Sequence, residues 1–115
     1  MNTIVSSVME PLIRRKVFAT EEEAVRSLLR EFILRQINGL QRELTRFERK
    51  YGMRFEQFVE YLHERSVLLQ DGELPPEQGQ VLGRAVMQEE DDWLDWKVAR
   101  EMLESWLGLR QEVIG

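Results

Sequence analysis

The stretch LREFILRQINGLQRELTRFERKY, residues 29–51, decides the fold that the sequence predicts. Apolar residues recur in it at alternating spacings of four and three, the a/d pattern of a helix that packs along one seam. The seam residues are Ile33, Ile37, Leu40, Leu44 and Phe47. We therefore predict a long central helix that runs to Tyr51, with Gly52 just beyond its end.

The start of this helix is marked by a capping pattern. Thr20 can act as the N-cap, and Glu23 follows three residues later as in a capping box. A helix from Thr20 to Tyr51 would be about 48 Å long, whereas a compact domain of this size has a radius of gyration of about 13 Å. Because the rest of the chain could hardly cover such a helix, the helix either bends at Asn38-Gly39 or packs against another subunit. The heptad phase continues across Gly39, so we expect the seam to form a homo-oligomer, most simply a dimer.

The remaining sequence predicts further helices. Ala, Glu, Lys, Leu and Arg make up 52 of the 115 residues, which favours an all-α fold. Residues 2–8 are rich in β-branched and hydroxyl side chains and are the one candidate for a short strand. The other predicted helices span residues 8–18, 54–66, 77–87 and 91–109.

The composition argues against an enzymatic function. The chain has no Cys and one His, which excludes thiol catalysis, disulfides and Cys/His zinc sites. His63 lies in a charged run and is interpreted as a surface residue rather than a general base. The acidic run Glu89–Asp92 is interpreted as a helix cap rather than a Mg²⁺ or Ca²⁺ site, because consecutive helical residues point in different directions. We predict no enzyme, no cofactor and no metal.

The net charge of −5 divides unevenly along the chain. Residues 1–52 form a basic region that carries the seam, and residues 53–115 form an acidic region that carries all three Trp. The Trp residues either pack the last helix onto its own chain or an identical copy, or form a hot spot for a different, basic protein partner. The candidate partner-binding residues are Asp92, Trp93, Trp96 and Trp106.

The basic residues leave two interpretations open. Arg14, Arg15 and Lys16 lie near the candidate strand, and the outer face of the long helix carries Arg35, Arg42, Arg46 and Arg49. These side chains either form a solvated helix face or contact phosphates. If the protein binds DNA, the candidate contacts are Thr3, Arg14, Arg15 and Lys16.

Three segments resemble ribbon-helix-helix antitoxins of prokaryotic toxin–antitoxin systems and related small antitoxin-like proteins. They are LIRRKVFATEEEAVRSLLRE (residues 12–31), FERKYGMRFEQF (residues 47–58) and EDDWLDW (residues 90–96). The resemblance implies an N-terminal part that dimerises and binds operator DNA, and a C-terminal part that neutralises a toxin, often an RNase. The ribbon would present residues such as Thr3 and Ser7 with no Lys or Arg, which departs from the family pattern.

The leading hypothesis is a non-enzymatic, antitoxin-like protein that self-associates through its central helix. It would bind a basic protein, such as a toxin, through its acidic, Trp-rich region. The alternatives are a ribbon-helix-helix DNA-binding regulator and a structural helical adaptor. We expect a cytoplasmic protein that does not enter membranes, because no apolar run is long enough to span a bilayer and the N-terminus lacks a signal-peptide pattern.

Overall fold

A computed structural model describes residues 3–114 and builds them into four helices joined by short loops. The helices are α1 (Thr3–Arg14), α2 (Glu21–Tyr51), α3 (Phe55–Gln70) and α4 (Pro76–Ile114). Between residues 3 and 114 there is no strand. The prediction of an all-α fold with a long central helix is confirmed.

Helix α2 begins and ends where its local sequence indicates. The Glu23 N–H donates to Thr20 Oγ1 at 3.1 Å, and the Glu23 carboxylate accepts the N–H of Ala19 at 3.3 Å. This carboxylate reaches one residue further back than in a standard capping box. At the other end Gly52 has a φ of 62° and donates its N–H to the carbonyl of Glu48. Glycine accepts this left-handed conformation without the steric cost of a Cβ atom.

The N-terminal strand prediction is wrong for the residues that the structure describes. Helix α1 begins at Thr3 and continues through Pro11, and Asn2 lies outside the described residues. The half-buried apolar residues of α1 include Val5, Met9 and Leu12, whose spacings of four and three follow a helix rather than a strand. Packing along this face outweighs the β-propensity of the segment, which is a weak and context-dependent preference.

Helix α1 ends in a turn that uses a lysine where glycine is usual. Lys16 has a φ of 61°, its N–H donates to the carbonyl of Ile13, and the next N–H, of Val17, donates to Leu12. These are the two hydrogen bonds of a Schellman motif, whose left-handed position costs an L-residue with a Cβ about 1 kcal/mol.

Helix α4 is a single helix of 39 residues, although two helices were predicted. The acidic run Glu89–Asp92, interpreted as the cap of a last helix, lies in its middle. Two of these acids form ion pairs with other helices, Glu89 with Arg65 of α3 and Asp92 with Lys50 of α2. Glu90 and Asp91 are exposed to solvent, so the acidic run is an ordinary stretch of helix and does not need a helix N-terminus.

The chain divides into two compact units. The central unit comprises residues 39–105, and the N-terminal unit comprises residues 3–38 together with residues 106–114. This division differs from the regions predicted at 1–52 and 53–115, because the end of α2 packs with α3 and α4. None of the helices in residues 3–114 has the length and apolar character needed to cross a membrane.

The core of the central unit is built around one tryptophan. Trp96 is 1% exposed, and its ring stacks on Phe47 with centroids 5.5 Å apart. Phe58 packs on the same indole at 5.3 Å, and Phe55 meets it edge to face at 5.5 Å. Aromatic contacts of this kind add about 1 kcal/mol each to the burial of their apolar surface. The core therefore joins the end of α2 to α3 and α4.

Candidate partner-binding groove

A groove of about 480 Å³ lies within the central unit, between α3 and α4. Helix α3 contributes residues spaced three and four apart, so they share one face of that helix. Helix α4 contributes an acidic pair and an apolar pair from one turn. The lining residues are Val59, Leu62, His63, Ser66, Glu90, Asp91, Trp93 and Leu94.

The apolar part of the groove rests on the core. Leu62 is buried, and Trp93 is half-buried and packs against the core cluster. Val59 and Leu94 are 38% and 52% exposed, so they offer apolar surface to a ligand. One wall is therefore held rigidly by the core while its outer residues remain accessible.

The rim of the groove is acidic. Glu90 and Asp91 are exposed on α4, and His63 is exposed on α3. The central unit as a whole carries nine basic and fifteen acidic residues, a net charge of −6. The ammonium group of Lys97 lies 5.4 Å from the centre of the Trp93 ring, which shows that a cation can sit at this indole. The groove thus combines apolar surface with an environment that favours cations.

Asp92 follows the two rim acids but belongs to a different contact. Its Oδ2 atom accepts hydrogen bonds from Lys50 Nζ, at 2.5 Å, and from the Tyr51 hydroxyl. Burial opposes the ionisation of Asp92, but these two donors outweigh it and hold the pKa of Asp92 below its usual range. Burial, reinforced by the hydrogen bond to Asp92, raises the pKa of Tyr51. The carboxylate therefore stays ionised and links α4 to the end of α2.

A second ion pair lies beneath the helix surface. Arg65 Nη2 and Glu89 Oε1 are 2.7 Å apart, and Glu89 is only 7% exposed. Arg65 also lies over the Tyr61 ring, with its guanidinium carbon 4.9 Å from the ring centre. Glu89 Oε2 and Arg65 Nε make no further hydrogen bond within residues 3–114. This pair fixes α3 against α4, and so it supports the groove.

The structure separates the four predicted partner-binding residues. Trp93 lines the groove, but Trp96 is a core residue that a partner cannot reach in this conformation. Asp92 is bonded within the chain, as described above. Trp106 belongs to the N-terminal unit, where its ring meets Phe32 edge to face at 5.8 Å. The interpretation that the Trp residues pack their own chain therefore describes Trp96 and Trp106, whereas Trp93, which lines the groove, remains the candidate for partner binding.

The predicted oligomer seam is largely covered by the chain itself. Ile33, Ile37 and Phe47 are at most 2% exposed, and Leu40 and Leu44 are half-buried. The sequence argument assumed that one chain could not cover a helix of this length. At Phe47 the covering side chain is Trp96 of α4, which stacks on its ring. Self-association through the seam stays a prediction.

The predicted DNA-binding residues do not form a ribbon. Thr3 opens α1 and Arg14 closes it, about 16 Å apart along the helix axis. Arg14, Arg15 and Lys16 are exposed, and Arg14 pairs loosely with Glu10 at 3.7 Å. Thr3 therefore does not join the basic cluster.

Sequence reasoning missed the α3 side of the groove. Val59, Leu62, His63 and Ser66 share a helical face, and this spacing was the available signal. Spacing does not reveal which helix the face meets. The sequence analysis treated Glu90 and Asp91 only as part of the acidic run, not as the rim of a groove. Within residues 3–114 no group of three His, Asp or Glu side chains is placed to hold a metal ion.

Comparison of the chain with protein-family models, with curated proteins and with solved structures finds no match.

Proposed function

We propose that this protein is a non-enzymatic, antitoxin-like protein that binds a basic segment of a partner protein in the groove between α3 and α4. The observation that carries the proposal is the combination of accessible apolar side chains with an acidic rim in one groove. A partner helix with Leu-type residues on one face and Lys or Arg beside them fits both features, because helix-in-groove recognition uses apolar anchors at helical spacing.

The charge of the central unit supports a basic partner. A net charge of −6 speeds the encounter with a cation-rich surface and disfavours acidic competitors. A protein that acts on RNA needs positive charge to bind phosphates. An acidic protein that covers this positive surface would block RNA binding, which is how an antitoxin could neutralise an RNase without any chemistry.

The test uses a defined peptide probe in place of the partner. We expect a helical Leu/Lys peptide to bind in fluorescence anisotropy, more weakly as salt rises, and a Leu/Glu peptide of the same apolar pattern not to bind. The double variant Glu90→Gln, Asp91→Asn should lose about tenfold in affinity, or about 1.4 kcal/mol. Trp93→Ala should lose at least as much, because it removes the apolar anchor.

The matched control removes two charges from the same helix outside the groove. Glu101 and Glu104 are exposed and do not line the groove, so Glu101→Gln, Glu104→Gln should change the affinity only about twofold through the overall field. If the control double variant loses as much as the groove variant, binding is a general charge effect and the groove is not the site. Equal binding of the two peptides would also contradict the proposal.

The two alternative hypotheses stand differently. A ribbon-helix-helix regulator reads DNA with a strand, and residues 3–114 contain none, so this mode of recognition has no element to carry it. A structural helical adaptor remains a prediction. It differs from our proposal because it requires no preference for a basic ligand, which the peptide pair measures directly.

A further inference from the structure

The N-terminal unit carries an apolar surface of its own on α2. Val25, Leu28, Leu29 and Phe32 are spaced three, four and seven residues apart and so form one stripe along this helix. Leu28, Leu29 and Phe32 are 40%, 38% and 48% exposed. This stripe, which we call the α2 stripe, is distinct from the seam, whose Ile33 and Ile37 are buried.

The end of α4 extends this surface within the same unit. Trp106 touches Phe32 edge to face, with ring centroids 5.8 Å apart. Leu109 and Val113 follow Trp106 at spacings of three and seven, so they continue its face of α4, and they are 37% and 41% exposed. Two helices thus present adjoining apolar stripes, as half of a four-helix bundle does.

Charged residues are placed symmetrically about the middle of the α2 stripe. Glu21 lies seven residues before Leu28 and Arg35 lies seven residues after it, so both lie near the Leu28 side of the helix. Oε1 of Glu21 is shielded from solvent and accepts no hydrogen bond within residues 3–114. Arg35 makes only a long contact of 3.9 Å, to Glu31. Neither charge has a close ionic partner among these residues.

We propose that a second copy of this chain covers the α2 stripe, with the two α2 helices antiparallel about a two-fold axis at Leu28. In this arrangement, residues equally far before and after Leu28 lie opposite each other across the axis. Glu21 of one copy then faces Arg35 of the other, and the pair forms twice. The apolar residues from Leu28 to Phe32 pack between these ion pairs.

The size and charge of the surface suit a second copy. The exposed parts of Leu28, Leu29, Phe32, Leu109 and Val113 amount to roughly 400 Å² of side-chain surface, about half of the roughly 800 Å² per partner that a standard interface covers. The polar rim supplies the rest. The N-terminal unit has seven basic and six acidic residues, a net charge of +1, so two copies do not repel each other as two central units would. This proposal is independent of the groove, which lies in the other unit.

The charge pair gives a reciprocal test by sedimentation equilibrium of the full chain. We expect a dimer whose dissociation constant rises at least about tenfold in Glu21→Arg and in Arg35→Glu. The double variant Glu21→Arg, Arg35→Glu should return to within about threefold of the wild-type constant, because the swapped charges again face each other. Phe32→Glu should dissociate the dimer, whereas Met87→Glu, at an exposed apolar position of the central unit, should not.

A cross-link tests the position of the axis. The chain has no Cys, so Leu28→Cys creates a single thiol. At an antiparallel helix crossing the two Cα atoms would lie about 4–6 Å apart, which suits a disulfide. Mild oxidation should convert Leu28→Cys largely to a disulfide-linked dimer, whereas Met87→Cys should form little intermolecular disulfide.

Three results would overturn the proposal. They are a wild-type protein that stays monomeric up to about 500 µM, a dimer that both Arg35→Glu and Phe32→Glu leave intact, and equal cross-linking of the two Cys variants. Far-UV circular dichroism of each variant separates loss of association from loss of folding. A variant that has lost helix is replaced by Leu28→Glu, which changes the same stripe and carries the same expectation of dissociation.

Discussion

The central unit and the N-terminal unit bury their apolar residues to different extents. In the central unit α3, α4 and the end of α2 enclose Trp96, Phe47 and Phe58, each at most 1% exposed. In the described part of the N-terminal unit, the buried hydrophobic residues are Ala24, Ile33 and Ile37, while other apolar residues of α2 and α4 are between about a third and a half exposed. The comparison suggests that the central unit is stable by itself and that the N-terminal unit gains stability from association, because local stability follows buried apolar contact.

The largest expected effect contrasts one tryptophan from each unit. Trp96→Ala removes the indole that four aromatic rings contact, and should lower the free energy of unfolding by about 4 kcal/mol through lost burial and a cavity. Trp106→Ala removes a half-buried ring with one aromatic neighbour, Phe32, and should cost about 1–2 kcal/mol. Urea denaturation followed by far-UV circular dichroism measures both values. Equal losses would show that the two units do not differ in packing as described.

The next effect concerns the ion pair beneath the surface of the central unit. Arg65→Ala leaves the Glu89 carboxylate buried without its cation and should cost about 3 kcal/mol. The double variant Arg65→Met, Glu89→Leu should come within about 1 kcal/mol of the wild type, because burying two apolar side chains avoids the desolvation of two charges. Urea denaturation of the wild type and of both variants checks this. If the double variant is no more stable than Arg65→Ala, the ion pair stabilises the fold more than an apolar pair of similar size does.

The sequence predicted those elements whose causes are local. The seven-residue repeat predicts the helix, Thr20 marks its start and Gly52 marks its end, and each signal involves residues no more than about two turns apart. The structure confirms all three features of α2. The strand prediction for residues 2–8 was wrong because β-propensity reflects how well a side chain packs in a sheet. Residues 3–114 contain no sheet that this segment could join. The break predicted between residues 87 and 91 is absent. Glu89 and Asp92 pair with cations of other helices, which no local signal reveals, and Glu90 and Asp91 stay exposed within the continuous helix.

The groove could be predicted only in part. The sequence treated Trp93 and Trp96 alike, since each directly follows an Asp, but Trp93 lines the groove and Trp96 lies in the core. Which of the two faces the solvent depends on how α4 is turned against α3 and α2. Likewise, Glu90 and Asp91 stay at the rim while Glu89 and Asp92 turn inward, since neighbouring helical residues point about 100° apart. Sequence periodicity therefore predicts which residues share one face of a helix, but not which helix packs against that face.

A smaller effect concerns the pH dependence of the contact between α2 and α4 in the central unit. The pKa of Asp92 is lowered in the folded state, so its contribution to stability is present above about pH 4 and is lost as the pH falls further. Asp92→Asn should therefore cost about 1–2 kcal/mol at neutral pH, and this cost should shrink progressively as the pH falls below about 4. The raised pKa of Tyr51 predicts a loss at the alkaline end as well, as the pH rises above about 10.

Urea denaturation of the wild type and of Asp92→Asn across this pH range gives the difference directly. Glu43 provides the control, since hydrogen bonding to Arg46 lowers its pKa but both groups lie on α2 and join no second helix. Glu43→Gln should change stability by less than about 0.5 kcal/mol. A pH-independent cost of Asp92→Asn would mean that the charge of Asp92 does not hold α4 to α2.

The smallest effect lies in the N-terminal unit and has the opposite sign. Lys16→Gly should raise the free energy of unfolding by about 0.5–1 kcal/mol, because glycine removes the Cβ strain at the left-handed turn after α1. Lys16→Ala is the matched control: it removes the same charge but keeps the Cβ, so it should give no gain. The N-terminal unit buries few apolar residues, so removing this strain should make its local unfolding less frequent. In Lys16→Gly, amide hydrogen exchange should therefore slow in α1 and in residues 21–38 and remain unchanged around Trp96. An equal gain for alanine and glycine would assign the effect to the lysine charge beside Arg14 and Arg15 instead of to the backbone.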